Sequence, residues 1–300
     1  MKIEKLSYYP YEIPFTTGLI RSGVLLYVTG EAGKNGWGEV APLPNWSKES
    51  LEESLGELRE REEEILGIDW TPHTCFDELH KLALLPSCSF GMESALLSIL
   101  MPLSGYSVRT SALFTGTPSQ ILLHAEQRKK EGYTSAKLKV SNLDFKETRE
   151  VIVRLKDVFR LRIDVNRAWN TEDSLRFFSE FPLDTFDYVE EPFLNPHDLA
   201  AFPHPLAVDE SFPGDLSLQQ VESFPTLKAL IYKPTVQGGM LHCIPLHRRA
   251  VKRGVSIVLS SAFESDVGLA NIDSMAHRLS LSSPVGTGTR HYFKRDHAAN

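Results

Sequence analysis

The sequence is poor in cysteine and has no long apolar run, and these absences exclude several classes of protein. Its three cysteines, Cys75, Cys88 and Cys243, are odd in number and are not spaced as metal ligands, which favours reduced thiols. Residues 1–5 carry no apolar signal core, and no apolar run approaches the roughly 18 residues of a membrane span. We therefore predict a cytoplasmic protein that has no membrane partner.

Basic residues are outnumbered by acidic ones. The chain has 32 Lys and Arg against 39 Asp and Glu, a formal net charge of −7, and the basic residues form no stripe. A nucleic-acid partner is therefore not expected, because nucleic-acid surfaces attract strongly basic patches. With 42% hydrophobic and 24% charged residues, the chain has the composition of a globular protein. Its length of 300 residues fits one large α/β domain or two smaller ones.

The first hundred residues are typical of a small α+β domain. Strands are predicted at 5–13, 23–29 and 36–40, separated by turn signals, and a three-stranded antiparallel meander is the simplest arrangement. Helices are predicted at 50–65, where leucines line one side and glutamates the other, and at 89–103, which is more apolar.

After Gly105, strands alternate with helices. Helices lie between the predicted strands 110–114, 135–140, 160–165, 187–190, 205–209, 229–233 and 256–260. Seven strands in this order predict a closed parallel barrel with its helices outside. An open doubly wound sheet is the alternative, although its Gly-rich phosphate loop is missing after the first strand.

Three of these strands end in a carboxylate. Asp164, Glu190 and Asp209 each close an apolar run, and a carboxylate at the end of a buried strand is costly unless a cation meets it. Parallel strands end at one rim, where barrel enzymes place their catalytic groups. Three hard oxygen ligands at one rim predict a divalent-metal site, and Mg²⁺ suits it best. Asn166 lies on the same side of an extended chain as Asp164.

Lysines and serines occupy further strand ends. Lys137 and Lys139 alternate onto one face of the second strand, Lys233 ends the sixth, and Ser260 and Ser261 end the seventh. Each feature alone fits a solvated edge or a turn, but ionisable groups at successive strand ends favour a catalytic site. A lysine facing a divalent metal and a second lysine gives up its proton more readily, so it can act as a base near neutral pH. Together with a metal that binds a carboxylate, this predicts proton abstraction α to a carboxylate.

In order and spacing, these motifs resemble those of the enolase superfamily, in its muconate-lactonising subgroup. The matching segments are Lys137-Leu138-Lys139, Asp164-Val165-Asn166, Glu190-Glu191-Pro192, Asp209-Glu210-Ser211, and Lys233-Pro234 followed by Gly238-Gly239. Within that subgroup the sequence is most similar to the o-succinylbenzoate synthase family. The segments that suggest this family are 36–44 with Ser47, Arg162 just before the predicted metal ligand, and 260–265 followed by Gly268-Leu269.

The resemblance implies a two-domain α/β protein. Residues 1–104, with the tail from about 285 to 300, would form an α+β capping domain. Residues 105–284 would form a modified (β/α)7β TIM-like barrel. Trp46 and Trp169 are expected to serve packing and not chemistry.

The resemblance also implies the roles of the site residues. The ligands of Mg²⁺, or alternatively Mn²⁺, would be Asp164, Glu190 (rather than Glu191) and Asp209. Lys139 would remove the proton and then help hydroxide to leave, Lys137 would tune Lys139, and Lys233 would stabilise the enolate from the opposite face. Backbone amides around Ser260 and Ser261 would hold the succinyl carboxylate. Further substrate contacts would come from Arg162, Asn166 and Arg21, the last on a mobile loop of the cap.

The expected activity is metal-dependent syn-dehydration of 2-succinyl-6-hydroxy-2,4-cyclohexadiene-1-carboxylate to 2-succinylbenzoate, a lyase reaction of menaquinone biosynthesis. The expected partner is thus a small carboxylate substrate. An N-acylamino-acid racemase or dipeptide epimerase remains open, since it would use Lys139 and Lys233 as two opposed acid–base groups. A muconate-type cycloisomerase and a non-catalytic binding protein are further alternatives. The sequence leaves both a monomer and a homo-oligomer open.

Overall fold

The computed structural model describes residues 1–294, so part of the predicted C-terminal tail of the cap, 295–300, lies outside the described residues. The chain forms two compact units. The first comprises Met1–Val108, Tyr232–Arg249 and the chain from Leu259 onward, and the second comprises Arg109–Ile231 and Ala250–Val258. The predicted domain limits of 104 and 284 stay a prediction. Within residues 1–294, no helix combines the length and hydropathy needed to cross a bilayer.

The first unit is built on the predicted antiparallel meander. Strands β1 (Ile3–Pro14), β2 (Ile20–Gly30) and β3 (Asn35–Val40) pair in chain order. Their alternating pattern buries Leu26 and Val28 in the core of this unit, while Tyr9 and Trp37 remain partly exposed. The meander is confirmed.

Helices cover this sheet, and their limits differ from the sequence prediction. They are α1 (Leu51–Glu60), α2 (Glu62–Gly67), α3 (Cys75–Leu82) and α4 (Pro86–Leu100). The helix predicted over 50–65 breaks at Arg61, where the backbone departs from ideal helical values, with φ of −92° and ψ of −1°. Helix α3 was not predicted, although its buried residues Cys75, Leu79 and Leu82 have helical spacing.

The Gly36-Trp37-Gly38 motif reflects close packing between β3 and α4. A Cβ atom on Gly38 would lie 1.9 Å from the Gly91 carbonyl oxygen, and one on Gly36 would lie 2.2 Å from that of Ala95. Only glycine allows the two backbones to approach this closely. Part of the segment that suggested the family is therefore explained by packing.

The seven predicted strands all form, as one parallel sheet in chain order. They are β4 (Ala112–Phe114), β5 (Ser135–Lys139), β6 (Arg160–Asp164), β7 (Tyr188–Glu190), β8 (Leu206–Val208), β9 (Leu227–Tyr232) and β10 (Ser256–Leu259). The helices of this region are α5 (Pro118–Lys130), α6 (Phe145–Leu155), α7 (Thr171–Phe178), α8 (Leu218–Glu222), α9 (Pro234–Gln237), α10 (Met240–Val251) and, after the last strand, α11 (Asp266–Arg278). The strand order confirms the α/β barrel-like fold and excludes the doubly wound order, but the described strands form a curled half-barrel with β4 and β10 as its ends, and not the closed barrel that was predicted.

Candidate active site

Strand register places three of the predicted site residues side by side. Lys139 is the partner of Asp164 between β5 and β6, and Asp164 is the partner of Glu190 between β6 and β7. Glu190 in turn lies opposite Ala207 of β8, and Asp209 comes directly after that strand. Because the strands are parallel, these side chains share one rim of the sheet. Asp164 and Glu190 are fully buried, and Asp209 is 5% exposed.

Lys137 links two of the predicted metal ligands. Its Nζ lies 2.6 Å from Glu190 Oε1 and 2.8 Å from Asp164 Oδ2. Lys139 Nζ lies 3.7 Å from the same Asp164 oxygen. The two buried carboxylates are thus met by ammonium groups, which offsets the cost of removing their charge from water.

The charge of Lys137 is maintained by its surroundings. Burial alone would lower the pKa of Lys137, but the nearby carboxylates of Asp164, Glu190 and Asp209 outweigh this and hold its pKa well above the ordinary value. Lys137 is therefore a cation throughout the neutral range, and it is suited to act through its charge and not as a base.

The described part of the chain contains no preformed metal cluster. Among residues 1–294, no three His, Cys, Asp or Glu side chains converge closely enough, as placed, to hold an ion. Asp164 Oδ2 is nevertheless a buried acceptor: its contact with Lys137 is short but is not aligned as a hydrogen bond. The predicted ligands therefore occupy neighbouring strand ends with an ammonium group between two of them.

Glu191, the second acid of the Glu-Glu-Pro motif, supports the segment that carries Asp209. Its Oε1 accepts hydrogen bonds from the backbone N–H groups of Asp209 (2.8 Å) and Ser211 (3.0 Å), and its Oε2 accepts one from the Ser211 hydroxyl. Burial, together with the charge of Glu210, raises the pKa of Glu191 to about 7. Both oxygens of Glu191 are occupied by the 209–211 turn, whereas Glu190 faces the lysines. No pattern in the sequence indicates this role of Glu191.

The chain turns sharply after Asp164. Asn166 and Arg167 both have left-handed backbone conformations, with φ of 48° and 57°. The Asn166 backbone N–H donates to Asp164 Oδ1 at 3.0 Å, which orients that carboxylate. A substrate contact by the Asn166 side chain stays a prediction.

Arg162 contacts an acid and an aromatic ring from the segment of the neighbouring strand. It is 2% exposed, and its Nε donates to Asp187 Oδ2 at 2.9 Å. Its guanidinium also lies over the Tyr188 ring, 4.9 Å from the centroid. Asp187 directly precedes β7, and Tyr188 is the first residue of that strand. A substrate contact by Arg162 stays a prediction.

Arg21 binds the polypeptide within the first unit. It is 3% exposed, and its guanidinium donates to the backbone carbonyl groups of Ser22, Ala41, Pro42 and Phe263. Four of its five N–H donors are thereby used. The residue anchors three segments of the chain, and the substrate contact expected of it stays a prediction.

The backbone N–H groups of Ser260 and Ser261 both donate hydrogen bonds to backbone carbonyl groups. The Ser260 N–H donates to the Tyr232 carbonyl at 2.9 Å, and that of Ser261 donates to the Gly286 carbonyl at 3.1 Å. The buried Glu264 accepts from the Ser261 hydroxyl at 2.7 Å. These two amides stabilise the chain after β10, and a contact of the backbone amides of this region with the succinyl carboxylate stays a prediction.

Lys233 comes directly after β9 and contacts an aromatic ring. Its Nζ lies 4.2 Å from the centroid of Trp46, and its backbone N–H donates to Gln237 Oε1 at 3.0 Å. Only 9% of Lys233 is exposed. The sequence favours a packing role for Trp46, so this contact is a finding of the structure.

Comparisons with known proteins identify the family. The profile described as "Enolase C-terminal domain-like" matches residues 120–297, and that described as "MenC, N-terminal domain" matches residues 3–99. The chain belongs to the enolase superfamily. It is 29% identical over 303 residues to the o-succinylbenzoate synthase of Yersinia enterocolitica, with coverage of 94% of this chain and 88% of that protein.

Solved structures of this superfamily share the fold. An o-succinylbenzoate synthase from Thermosynechococcus elongatus, complexed with Mg in its active site, has a TM-score of 0.74 at 23% identity and covers 98% of this chain and 95% of its own. The L-Ala-D/L-Glu epimerase from Bacillus subtilis has a TM-score of 0.81 at 19% identity, and the match covers 99% of this chain and 92% of the epimerase. Because enzymes with different reactions superpose about equally well, the fold alone does not select the activity.

Proposed function

We propose that this enolase-superfamily protein is an o-succinylbenzoate synthase. It would dehydrate 2-succinyl-6-hydroxy-2,4-cyclohexadiene-1-carboxylate to 2-succinylbenzoate, a step of menaquinone biosynthesis. The observation that carries this proposal is the row of Lys139, Asp164 and Glu190 in strand register, with Lys137 between the two acids. The match of residues 3–99 to the MenC N-terminal domain and the names of the curated relatives support this substrate over others. The free cysteines, all buried, support a reducing cytoplasmic location.

The donor set fits a divalent metal. Asp164, Glu190 and Asp209 offer hard carboxylate oxygens at neighbouring strand ends, and the buried Asp164 Oδ2 has no aligned hydrogen bond among the described residues. These three residues would hold Mg²⁺, with Mn²⁺ as the alternative. When bound, such an ion supplies the positive charge that makes loss of a proton next to a carboxylate feasible. An ion would compete with the Lys137 ammonium for the same oxygens.

Lys139 carries both proton transfers of the proposed reaction, and the other two lysines act through their charge. Lys139, as the free amine, takes the proton from the carbon next to the substrate carboxylate. The electron pair of that C–H bond enters the ring, the C–O bond of the hydroxyl group breaks, and the Lys139 ammonium returns the proton to the departing hydroxide as water. The products are water and an aromatic ring. Lys137 stays charged, and Lys233, by the family resemblance, supplies a fixed positive charge.

An N-acylamino-acid racemase or dipeptide epimerase is the second candidate. Two solved dipeptide epimerases share the fold with a TM-score of 0.81, so the fold is compatible with this reaction as well. Such an enzyme would need both Lys139 and Lys233 to exchange protons. A muconate-type cycloisomerase has a solved relative at a TM-score of 0.79, but no observation favours its lactone chemistry over dehydration.

A direct assay distinguishes these candidates. Purified protein is incubated with the cyclohexadiene substrate, and 2-succinylbenzoate is measured beside a panel of N-acyl amino acids and dipeptides, before and after complete metal removal. We expect dehydration to dominate, to vanish without metal and to return with Mg²⁺. Efficient racemisation without dehydration would replace the synthase proposal with the racemase. Full activity in metal-free protein would exclude both mechanisms.

A further inference from the structure

The contact between Trp46 and Lys233 has no part in the chemistry so far assigned. The Lys233 Nζ lies over the indole ring, 4.2 Å from its centroid, which is the geometry of a cation–π interaction. Both residues lie in the first compact unit. The ring face carries negative electrostatic potential, so it attracts an ammonium group and limits the directions in which that group can move.

Trp46 lies in a tight turn, residues 43–47, that fixes its backbone next to Lys233. The Trp46 and Ser47 backbone N–H groups both donate to the Leu43 carbonyl, at 3.0 and 2.8 Å, and the Ser47 hydroxyl accepts from the Leu43 N–H at 2.9 Å. Asn45 takes a left-handed conformation, with φ of 68°. Pro42 and Pro44 flank Leu43 and further restrict the backbone. The turn therefore holds Trp46 by its own hydrogen bonds.

Packing alone does not account for the indole. Trp46 remains 39% exposed, whereas Trp70, a true core residue, is fully buried. Leaving a large ring partly in water gives up much of the free energy that its burial would provide. The polar contact of the ring is instead with a lysine that is only 9% exposed.

We propose that Trp46 is a positioning residue for the Lys233 ammonium. A lysine has four rotatable side-chain bonds, and a charge that stabilises a developing anion is useful only when it is fixed before the reaction. The indole restricts the movement of the ammonium group on the side where the ring lies. This inference rests on the proposed function, in which Lys233 supplies a fixed positive charge.

Fluorinated tryptophans at position 46 test the inference. Successive fluorines weaken the negative potential of the ring while almost preserving its shape, so they change the cation–π attraction and little else. We expect kcat for dehydration to fall stepwise along the series, by up to about 2- to 30-fold, which corresponds to an attraction of about 0.5–2 kcal/mol. The same substitutions at Trp37, which is 41% exposed and packs against tyrosines, should leave kcat unchanged. A flat series at Trp46 would overturn the inference.

A second measurement does not depend on turnover. In protein that carries 5-fluorotryptophan at position 46, Lys233→Met should move the ¹⁹F resonance, because the charge next to the ring is removed. The resonance of 5-fluorotryptophan at position 37 should stay in place. A Trp46 resonance that does not respond would overturn the inference even if dehydration is found. If wild-type protein racemises N-acyl amino acids and does not dehydrate, the proposed function fails, and a fluorine series measured on racemisation then decides the inference.

Discussion

At the scale of single residues, the structure separates three lysines that the motifs alone present as similar. Lys137 is half-buried between Asp164 and Glu190, Lys139 reaches the edge of the same cluster, and Lys233 stands against an indole ring. The proposed function assigns Lys137 the role of a permanent charge, Lys139 that of a proton-transferring amine and Lys233 that of a fixed cation. These differences can be tested with substitutions that remove either the charge of a lysine or only its ability to transfer a proton.

Arginine substitutions test which lysine transfers protons. Arginine keeps a positive charge but is too weak an acid to exchange protons near neutral pH. In a syn-dehydration, Lys139→Arg should therefore lower kcat by about 10²–10⁴-fold or more, whereas Lys233→Arg should keep measurable dehydration. Steady-state kinetics with the cyclohexadiene substrate provides the measurement. Equal, complete loss in both variants would argue for two proton-transferring lysines, as in a racemase.

Lys137→Met tests the charge balance of the cluster. Removing the ammonium leaves Asp164 and Glu190 buried without their main counter-charge, and breaking such a pair typically costs about 3–5 kcal/mol. We expect a clear loss of thermal stability in metal-free protein and a larger stabilisation by added Mg²⁺ than in wild type, since the ion no longer competes with an ammonium group. Thermal unfolding with and without Mg²⁺ measures both effects. An unchanged Mg²⁺ response in this variant would contradict the proposed competition.

At the scale of elements, short segments after the strands hold the acidic groups in place. The left-handed residues after β6 turn a backbone N–H toward Asp164, and Glu191 after β7 binds the segment that follows β8. Glu191 therefore supports one predicted metal ligand, Asp209, although in sequence it is adjacent to another predicted ligand, Glu190. Such supporting contacts commonly affect metal affinity.

Glu191→Gln tests this support. The amide oxygen can replace only one of the two carboxylate oxygens, and the NH₂ group that replaces the other cannot accept a hydrogen bond, so the 209–211 segment should be held less firmly and Asp209 should be less well oriented. We expect Mg²⁺ affinity and kcat/KM to fall by about 10–100-fold while the fold is retained. Calorimetric titration with Mg²⁺ and circular dichroism measure the two properties. Glu180→Gln, at an exposed ion pair with Arg149, is the matched control and should leave affinity unchanged; a loss of similar size there would remove the special role of Glu191.

At the scale of the whole molecule, buried acids link segments that are distant in sequence. Glu93 of α4 accepts hydrogen bonds from the Met240 and Leu241 N–H groups at the start of α10. Glu39 of β3 accepts from the Ser265 and Gly268 N–H groups at the start of α11, the former at 2.9 Å. Each carboxylate meets otherwise unsatisfied donors of a helix N-terminus, where a negative charge is stabilised. Their role is structural.

Glu93 predicts a pH dependence of stability. Burial raises its pKa from 4.5 to about 7, although the two backbone hydrogen bonds oppose the shift. A carboxyl group whose pKa is raised on folding stabilises the protein fully below its unfolded pKa, and this contribution is lost as the pH rises through about 7. The unfolding free energy of wild type, relative to Glu93→Gln, should therefore fall between pH 5 and 8, by no more than about 3 kcal/mol. Urea unfolding at several pH values measures the difference. A difference that is constant or rises with pH would contradict the prediction.

The sequence predicted most of the fold because its signals are local and periodic. Seven apolar runs separated by helical segments formed the seven strands, and the meander of the first unit formed as expected. Helix limits were less predictable: the break at Arg61 depends on one backbone turn, and α3 carries only three buried positions. The backbone contacts of Arg21 and the acid contact of Arg162 could not be predicted, because an arginine side chain reaches far enough to bind several neighbours.

By itself, the sequence determined which residues stand at the strand ends. Side chains alternate along a strand and parallel strands end at one rim, so Lys139, Asp164 and Glu190 had to be neighbours once those strands paired. Only the tertiary structure decided what each charged group contacts. The positions of Lys137 between two acids and of Trp46 over Lys233 depend on contacts between residues distant in sequence, and no local pattern specifies such contacts.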